Sequence, residues 1–169
     1  MNDVRICILV ADKLDEMQVI VPYDLWKRAN FIVELISIEK KNTIVLQKGI
    51  KISCNASIDK TNLTQYNAIY MPGGIGYTKY THPKTNPKLK SHLTKDFQNQ
   101  SNKWILANCS APVVLFEWNL QNDNKMACSK DFKDLISPNY SPETIVSSGN
   151  LITGNGTGSI MEFSLKVID

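Results

Sequence analysis

The sequence predicts an α/β fold: a mostly parallel sheet with helices on both faces. Three observations carry this. Apolar runs rich in β-branched residues alternate with helical segments along the whole chain. Three of these runs are followed by sharp turns, at residues 12–18, 72–76 and 108–112. One of them, within residues 103–116 (KWILANCSAPVVLF), reads as a strand turning directly into a helix. In open parallel sheets ligands bind beyond the C-terminal strand ends, so the three turns mark one place. With 169 residues the chain is long enough to bury its own core, and a single domain over 1–169 is expected.

Taken in order, residues 4–11 (VRICILVA) form a buried strand, with Cys7 inside it as a core residue. A helix over 15–30 follows, because Met17, Val21 and Leu25 recur at helical spacing and Ile20 widens their face. Pro22 lies inside it and is expected to kink it. Residues 32–38 are a second strand. Residues 43–46 and 50–53 flank a turn at Lys48–Gly49 and read as a hairpin. Residues 67–71 are a strand ending at Pro72-Gly73-Gly74, whose glycines permit unusual backbone angles and leave N–H groups exposed at a strand end. A lysine-rich helix is expected over 87–100 and a helix to about 120 after the tight corner. Residues 125–129 are a short strand. Residues 144–147 and 151–153 flank a turn at Gly149–Asn150, and a glycine-rich turn over 154–158 leads to a closing helix over 159–167.

The corner residue is Cys109, flanked by the small Ser110 and Ala111, with Pro112 in the first helical turn. A strand-to-helix corner pushes its residue out of the sheet end, which is the physics of a nucleophile elbow with Cys in place of Ser. The helix start is expected to favour thiolate over thiol. The alternative is an ordinary buried cysteine.

Composition narrows the functions. Apolar and charged fractions of 43% and 21% suit a soluble globular protein. The net charge of +3 is spread along the chain, with no basic run interleaved with aromatics, so no nucleic-acid partner is expected. No apolar run approaches the ~20 residues that span a bilayer, and the N-terminus lacks a signal-peptide layout, so no membrane partner and a cytoplasmic location are expected. The four cysteines (Cys7, Cys54, Cys109, Cys128) form no CxxC and no metal spacing with histidine. Free thiols and no metal are expected. The glycines at 154, 156 and 158 do not follow the first strand, and Gly73–Gly76 lacks the third glycine of GxGxxG, so turn geometry accounts for them.

The first strand with DEMQVIVPYDLWKRA, the strand ending in MPGG, the CSAP corner and the terminal GTGSIMEF resemble the ThiJ/PfpI superfamily over nearly the whole chain, in particular its parkinsonism-associated deglycase branch. The resemblance implies a flavodoxin-like three-layer sandwich with a Cys nucleophile elbow and no cofactor. It places the reactive cysteine at Cys109, with oxyanion-type N–H groups from Gly74 and Ser110. The carboxylic acid that bonds the sulfur in the superfamily falls on Gln18, and the histidine of its enzymatic members falls at or next to Ser129. Asp15 and Glu16 lie too far around a helix to replace the acid. His82 and His92 match no superfamily site and are expected to be exposed. Class I amidotransferases, a related branch, need a late histidine, and none follows His92.

Gln18 can still donate a hydrogen bond to sulfur, but it holds no titratable proton, and Ser129 cannot act as a base near neutral pH. Oxidation needs only a thiolate and access. The resemblance therefore implies a thiol protein with an oxidisable Cys109, in redox sensing or stress protection. The alternatives are a cofactor-free glyoxalase or deglycase acting on α-oxoaldehydes through Cys109, or a degenerate binding or chaperone-like scaffold. The reactant would be a small aldehyde or peroxide. Cys54 matches a cysteine near the dimer contact of that branch, which implies a homodimer, and Arg28 and Lys48 match basic residues there. Lys13 stands where relatives often carry glycine. A strand period puts Cys128 and Ser129 on opposite faces, and a register slipped by one would bring Cys128 toward Cys109.

Overall fold

The first apolar run becomes the middle of the sheet. In the computed structural model, which describes residues 3–83 and 86–169, β1 (Arg5–Val10) is buried from Ile6 to Val10. Such a run, buried on both faces, belongs in the interior of a parallel sheet. The chain then folds as α1 (Glu16–Arg28), β2 (Ile32–Ser37), the hairpin β3 (Thr43–Val45) and β4 (Lys51–Ser53), a short β5 (Ala56–Ser57), and β6 (Ala68–Met71). There follow α2 (Asn86–His92), β7 (Trp104–Asn108), α3 (Ala111–Glu117), β8 (Ile145–Ser148), β9 (Leu151–Gly154) and α4 (Ile160–Ile168).

Among the described residues the main sheet has seven strands in the order β5-β2-β1-β6-β7-β9-β8. Every pairing is parallel except β8 with β9. The chain moves outward from β1 to β2 and, in the other direction, from β6 to β7. The strand order therefore reverses between β1 and β6, and a binding crevice belongs at their C-terminal ends. Right-handed crossovers in opposite directions place α1 and α2 on opposite faces. On one face α1 packs against α4, where Trp26 is fully buried and its indole N–H donates to the Ser164 carbonyl at 2.9 Å. Burying a side chain of that size contributes roughly 1.5–3 kcal/mol or more.

Helix ends follow local chemistry. Asp15 caps α1, its carboxylate accepting the Gln18 N–H at 3.1 Å. At the other end Asn30 takes φ 64°, and Phe31 and Asn30 donate back to the Trp26 and Lys27 carbonyls, a Schellman closure. The helix runs unbroken through Pro22. The same closure at Asn119 (φ 57°) stops α3 at Glu117, short of the expected residue 120. The lysine-rich helix is α2 only as far as His92, and a π-helical turn, Leu93–Phe97, completes it. Residues 125–129 are not a strand: Met126 makes one isolated bridge with Tyr140 and the rest has no regular secondary structure. The two-residue β5 was not anticipated.

Candidate functional site

Three loops meet at the C-terminal ends of β1, β6 and β7, and backbone hydrogen bonds lock them together. Asp15 N–H donates to the Gly73 carbonyl and Gly76 N–H to the Lys13 carbonyl, both at 2.9 Å. The glycines allow this approach. A Cβ on Gly73 would lie 2.7 Å from the Asn108 carbonyl oxygen and 2.7 Å from the Cys109 Cβ, and one on Gly76 would lie 2.2 Å from the Asp12 carbonyl oxygen. Gly74 also takes φ 121°, open to glycine and strained for other residues. Lys13 has φ 67°, an uncommon angle for a residue with a side chain.

Cys109 stands between β7 and α3 with φ 60°, an uncommon angle for a residue with a side chain. Its N–H is held by the Gly154 carbonyl at 3.0 Å and by the Asn108 side-chain oxygen at 2.9 Å. That same Asn108 oxygen accepts the Gly156 N–H at 2.9 Å. The buried Asn108 thus fastens the corner to the glycine-rich turn after β9. Sequence reasoning passed over it, although a polar residue ending an apolar run was a signal.

Gln18 is completely buried. Its side-chain oxygen accepts the Gly73 N–H at 2.7 Å, and its amide nitrogen donates to the Thr157 hydroxyl at 3.0 Å. Gln18 and the Ser110 N–H both act to lower the Cys109 thiol pKa, favouring the sulfur anion. The Gly74 N–H donates to the Ser110 hydroxyl at 3.2 Å, so in this resting arrangement it is engaged. Gly73 and Thr157 orient Gln18, and neither role was anticipated. Asp15 is spent capping α1, and Glu16 accepts the Lys48 N–H.

Burial pushes the Cys109 thiol above its ordinary value; Gln18 and the Ser110 N–H pull the other way, and the Asp15 carboxylate adds a smaller upward push. The expected preference for thiolate is therefore not found. Desolvation outweighs the hydrogen-bonding groups around the corner. The other cysteines rise further, for want of such donors: burial takes Cys54 to about 11 and Cys128 to about 12, and Cys7 is pushed well up.

Residues 127–130 cross the end of the sheet. Ala127 N–H donates to the Thr153 hydroxyl, and Ser129 N–H to the Cys109 carbonyl, both at 2.9 Å. Because this stretch is not part of a ladder, strand alternation does not separate its side chains. Cys128, Ser129 and Cys109 all line one open cavity of about 420 Å3, together with Lys130, Asp131, Tyr140 and Thr157. Neither histidine lines it. His82 is exposed and borders a separate cavity with Lys79 and Lys88, whereas His92 is half-buried, paired with Asp96 at 2.8 Å. Arg28 pairs with Asp24 at the far end of α1, a helix length from Lys48, so the two form no anion site. Among the described residues no cluster of three or more His, Cys, Asp or Glu is arranged to hold a metal ion, and no helix is long and apolar enough to cross a membrane.

Residues 4–169 match the model of the DJ-1/PfpI family. The chain belongs to that family. Among its relatives, the "Protein dj-1beta" of Drosophila melanogaster is 26% identical over 96% of this chain and 86% of its own length. A Schizosaccharomyces pombe protein named "Glutathione-independent glyoxalase DJ-1" is 26% identical over 98% of this chain and 90% of its own. The solved structure described as "Toxoplasma gondii DJ-1, oxidized" superposes with a TM-score of 0.84 at 24% identity, covering 98% of this chain and 89% of that one. The DJ-1/PfpI fold thus spans the described chain, and Gln18, Gly74, Cys109 and Ser110 all fall within the matched residues.

Proposed function

We propose that this DJ-1/PfpI protein is a thiol protein whose Cys109 is oxidised by hydroperoxides, in redox sensing or stress protection, rather than a catalyst of α-oxoaldehyde conversion. One observation carries the reading: Cys109 lines a cavity bordered by no imidazole, while Gln18 and the Ser110 N–H act on its thiol to favour the anion against burial. Donors of this kind stabilise a thiolate and then the oxygens of an oxidised sulfur. Aldehyde chemistry also needs a group that moves protons near neutral pH. Ser129 has no such group, and Asp131 is an exposed carboxylate at the cavity rim.

The glyoxalase named in fission yeast makes the competing activity concrete. The reduced wild type and Cys109→Ser are compared with hydrogen peroxide and with methylglyoxal. The expected result is peroxide-dependent loss of the free Cys109 thiol in the wild type and no oxidation at residue 109 of the variant, with equal loss of methylglyoxal for both proteins. Faster methylglyoxal loss by the wild type would overturn the reading in favour of the aldehyde enzyme.

The protein is also proposed to act as a homodimer in the cytoplasm. Met17 and Ile20 are exposed on α1, and a shallow cavity lined by Ile20, Tyr23 and Ile52 joins that face to the hairpin beside Cys54. Apolar surface of this kind is a candidate contact between copies.

A further inference from the structure

Cys128 is a second thiol at the same cavity, fully buried and with no part in the reading above. Its chain neighbour Ser129 donates its N–H to the carbonyl of Cys109, so the two cysteines sit on segments joined by a direct backbone hydrogen bond. A disulfide between them requires Cα atoms ~4.4–6.8 Å apart, and the hydrogen bond ties the Cys109 carbonyl to the residue next to Cys128. Both cysteines line the same cavity of about 420 Å3, with the Cys128 thiol buried and donating to the Ser129 carbonyl at 3.3 Å. Their charges also sense one another, since a Cys109 thiolate adds to the burial that holds Cys128 protonated.

We infer that Cys128 is the resolving thiol for Cys109, trapping its first oxidation product as an intramolecular disulfide; the inference rests on Cys109 being the oxidised residue. The steps balance. The Cys109 thiolate attacks the O–O bond of a hydroperoxide, taking one oxygen as sulfenic acid and releasing hydroxide or an alkoxide, which takes a proton from solvent to leave as water or an alcohol. The Cys128 sulfur then attacks the Cys109 sulfur, the S–O bond breaks, and the departing hydroxide takes the Cys128 proton as water. The peroxide is reduced by two electrons and the pair of thiols is oxidised by two. Once Cys109 is an uncharged sulfenic acid, its thiolate no longer opposes ionisation of Cys128. Burial of Cys128 keeps peroxide from it, so the order of events is fixed: Cys109 first, Cys128 second. The disulfide protects Cys109 from irreversible over-oxidation.

The test is oxidation of the full reduced chain with hydrogen peroxide, read by intact mass and by non-reducing peptide mapping, for wild type, Cys128→Ser and Cys128→Ala. The wild type is expected to lose two hydrogens, yield a linked Cys109–Cys128 peptide pair, and return to the starting mass with a dithiol. Both variants are expected to gain oxygen at Cys109 that a dithiol does not remove. Two replacements of different polarity guard against one that misfolds, and the linked peptides are read in the wild type alone. Oxygen on wild-type Cys109 with no linked pair overturns the resolving role and leaves an oxidisable Cys109 standing. No modification of Cys109 in any of the three proteins overturns both.

Discussion

At Cys109 and Gln18 the chemistry is decided by which atoms are already occupied. The Gly73 N–H fixes the Gln18 oxygen at 2.7 Å, and only then is the amide NH2 free to serve Thr157 and the sulfur. A leucine of similar size at residue 18 would remove the donor to sulfur and leave the buried Gly73 N–H unpaired. Gln18→Leu is expected to raise the pH midpoint of Cys109 alkylation and to lower unfolding stability by about 1–3 kcal/mol, the cost of an unsatisfied buried donor. An unchanged alkylation midpoint would mean that Gln18 does not act on the thiol. Because burial holds the Cys109 thiol above its ordinary value, the protonated form predominates at neutral pH. Reactivity therefore climbs about tenfold per pH unit until the midpoint is passed.

At the scale of elements, the glycine at the end of β6 and one in the turn after β9 differ in what they do. Gly73 lets the β6 and β7 ends touch, since its Cβ would meet backbone atoms of Asn108 and Ser110 at 2.7 and 2.9 Å. Gly158 faces open space. Gly73→Ala is expected to cost about 1–3 kcal/mol by overpacking and to slow Cys109 alkylation, whereas Gly158→Ala should stay within about 0.5 kcal/mol. Chemical denaturation of the two variants checks this, and equal stability would contradict it. The order of strands and helices, and the meeting of three turns, were legible because apolar runs and glycines leave strong local signals. What was not legible depended on partners distant in sequence. Residues 125–129 have the apolar content of a strand, yet their N–H groups find the Thr153 hydroxyl and the Cys109 carbonyl instead of a ladder. β5 is too short to show a period. The early end of α3 at Glu117 follows from Asn119, a C-terminal signal present in the sequence. The family resemblance located Gln18 and Ser129, but the roles of Gly73, Asn108 and Thr157 required coordinates.

For the whole molecule, the sheet's reversal between β1 and β6 sets the Cys109 corner at one end. The exposed α1 residues Met17 and Ile20 form a separate face for the proposed homodimer. A charge placed there should separate two copies without touching Cys109. Ile20→Lys is expected to sediment as a monomer at concentrations where the wild type is a dimer, with the same peroxide product at Cys109. Equal sedimentation of the two proteins would place the contact elsewhere or exclude it.

The account stands or falls on Cys109 being the chemically available thiol of the four. Competitive alkylation along a pH series, read cysteine by cysteine by peptide mass, addresses that directly. An ordinary thiol has a pKa of about 8.5. The account predicts that Cys109 is modified first, with a midpoint above that value, followed by Cys54 and then by Cys128 and Cys7, in keeping with how strongly burial raises each. Modification of Cys54 before Cys109, or of Cys109 only after the protein is unfolded, would contradict it.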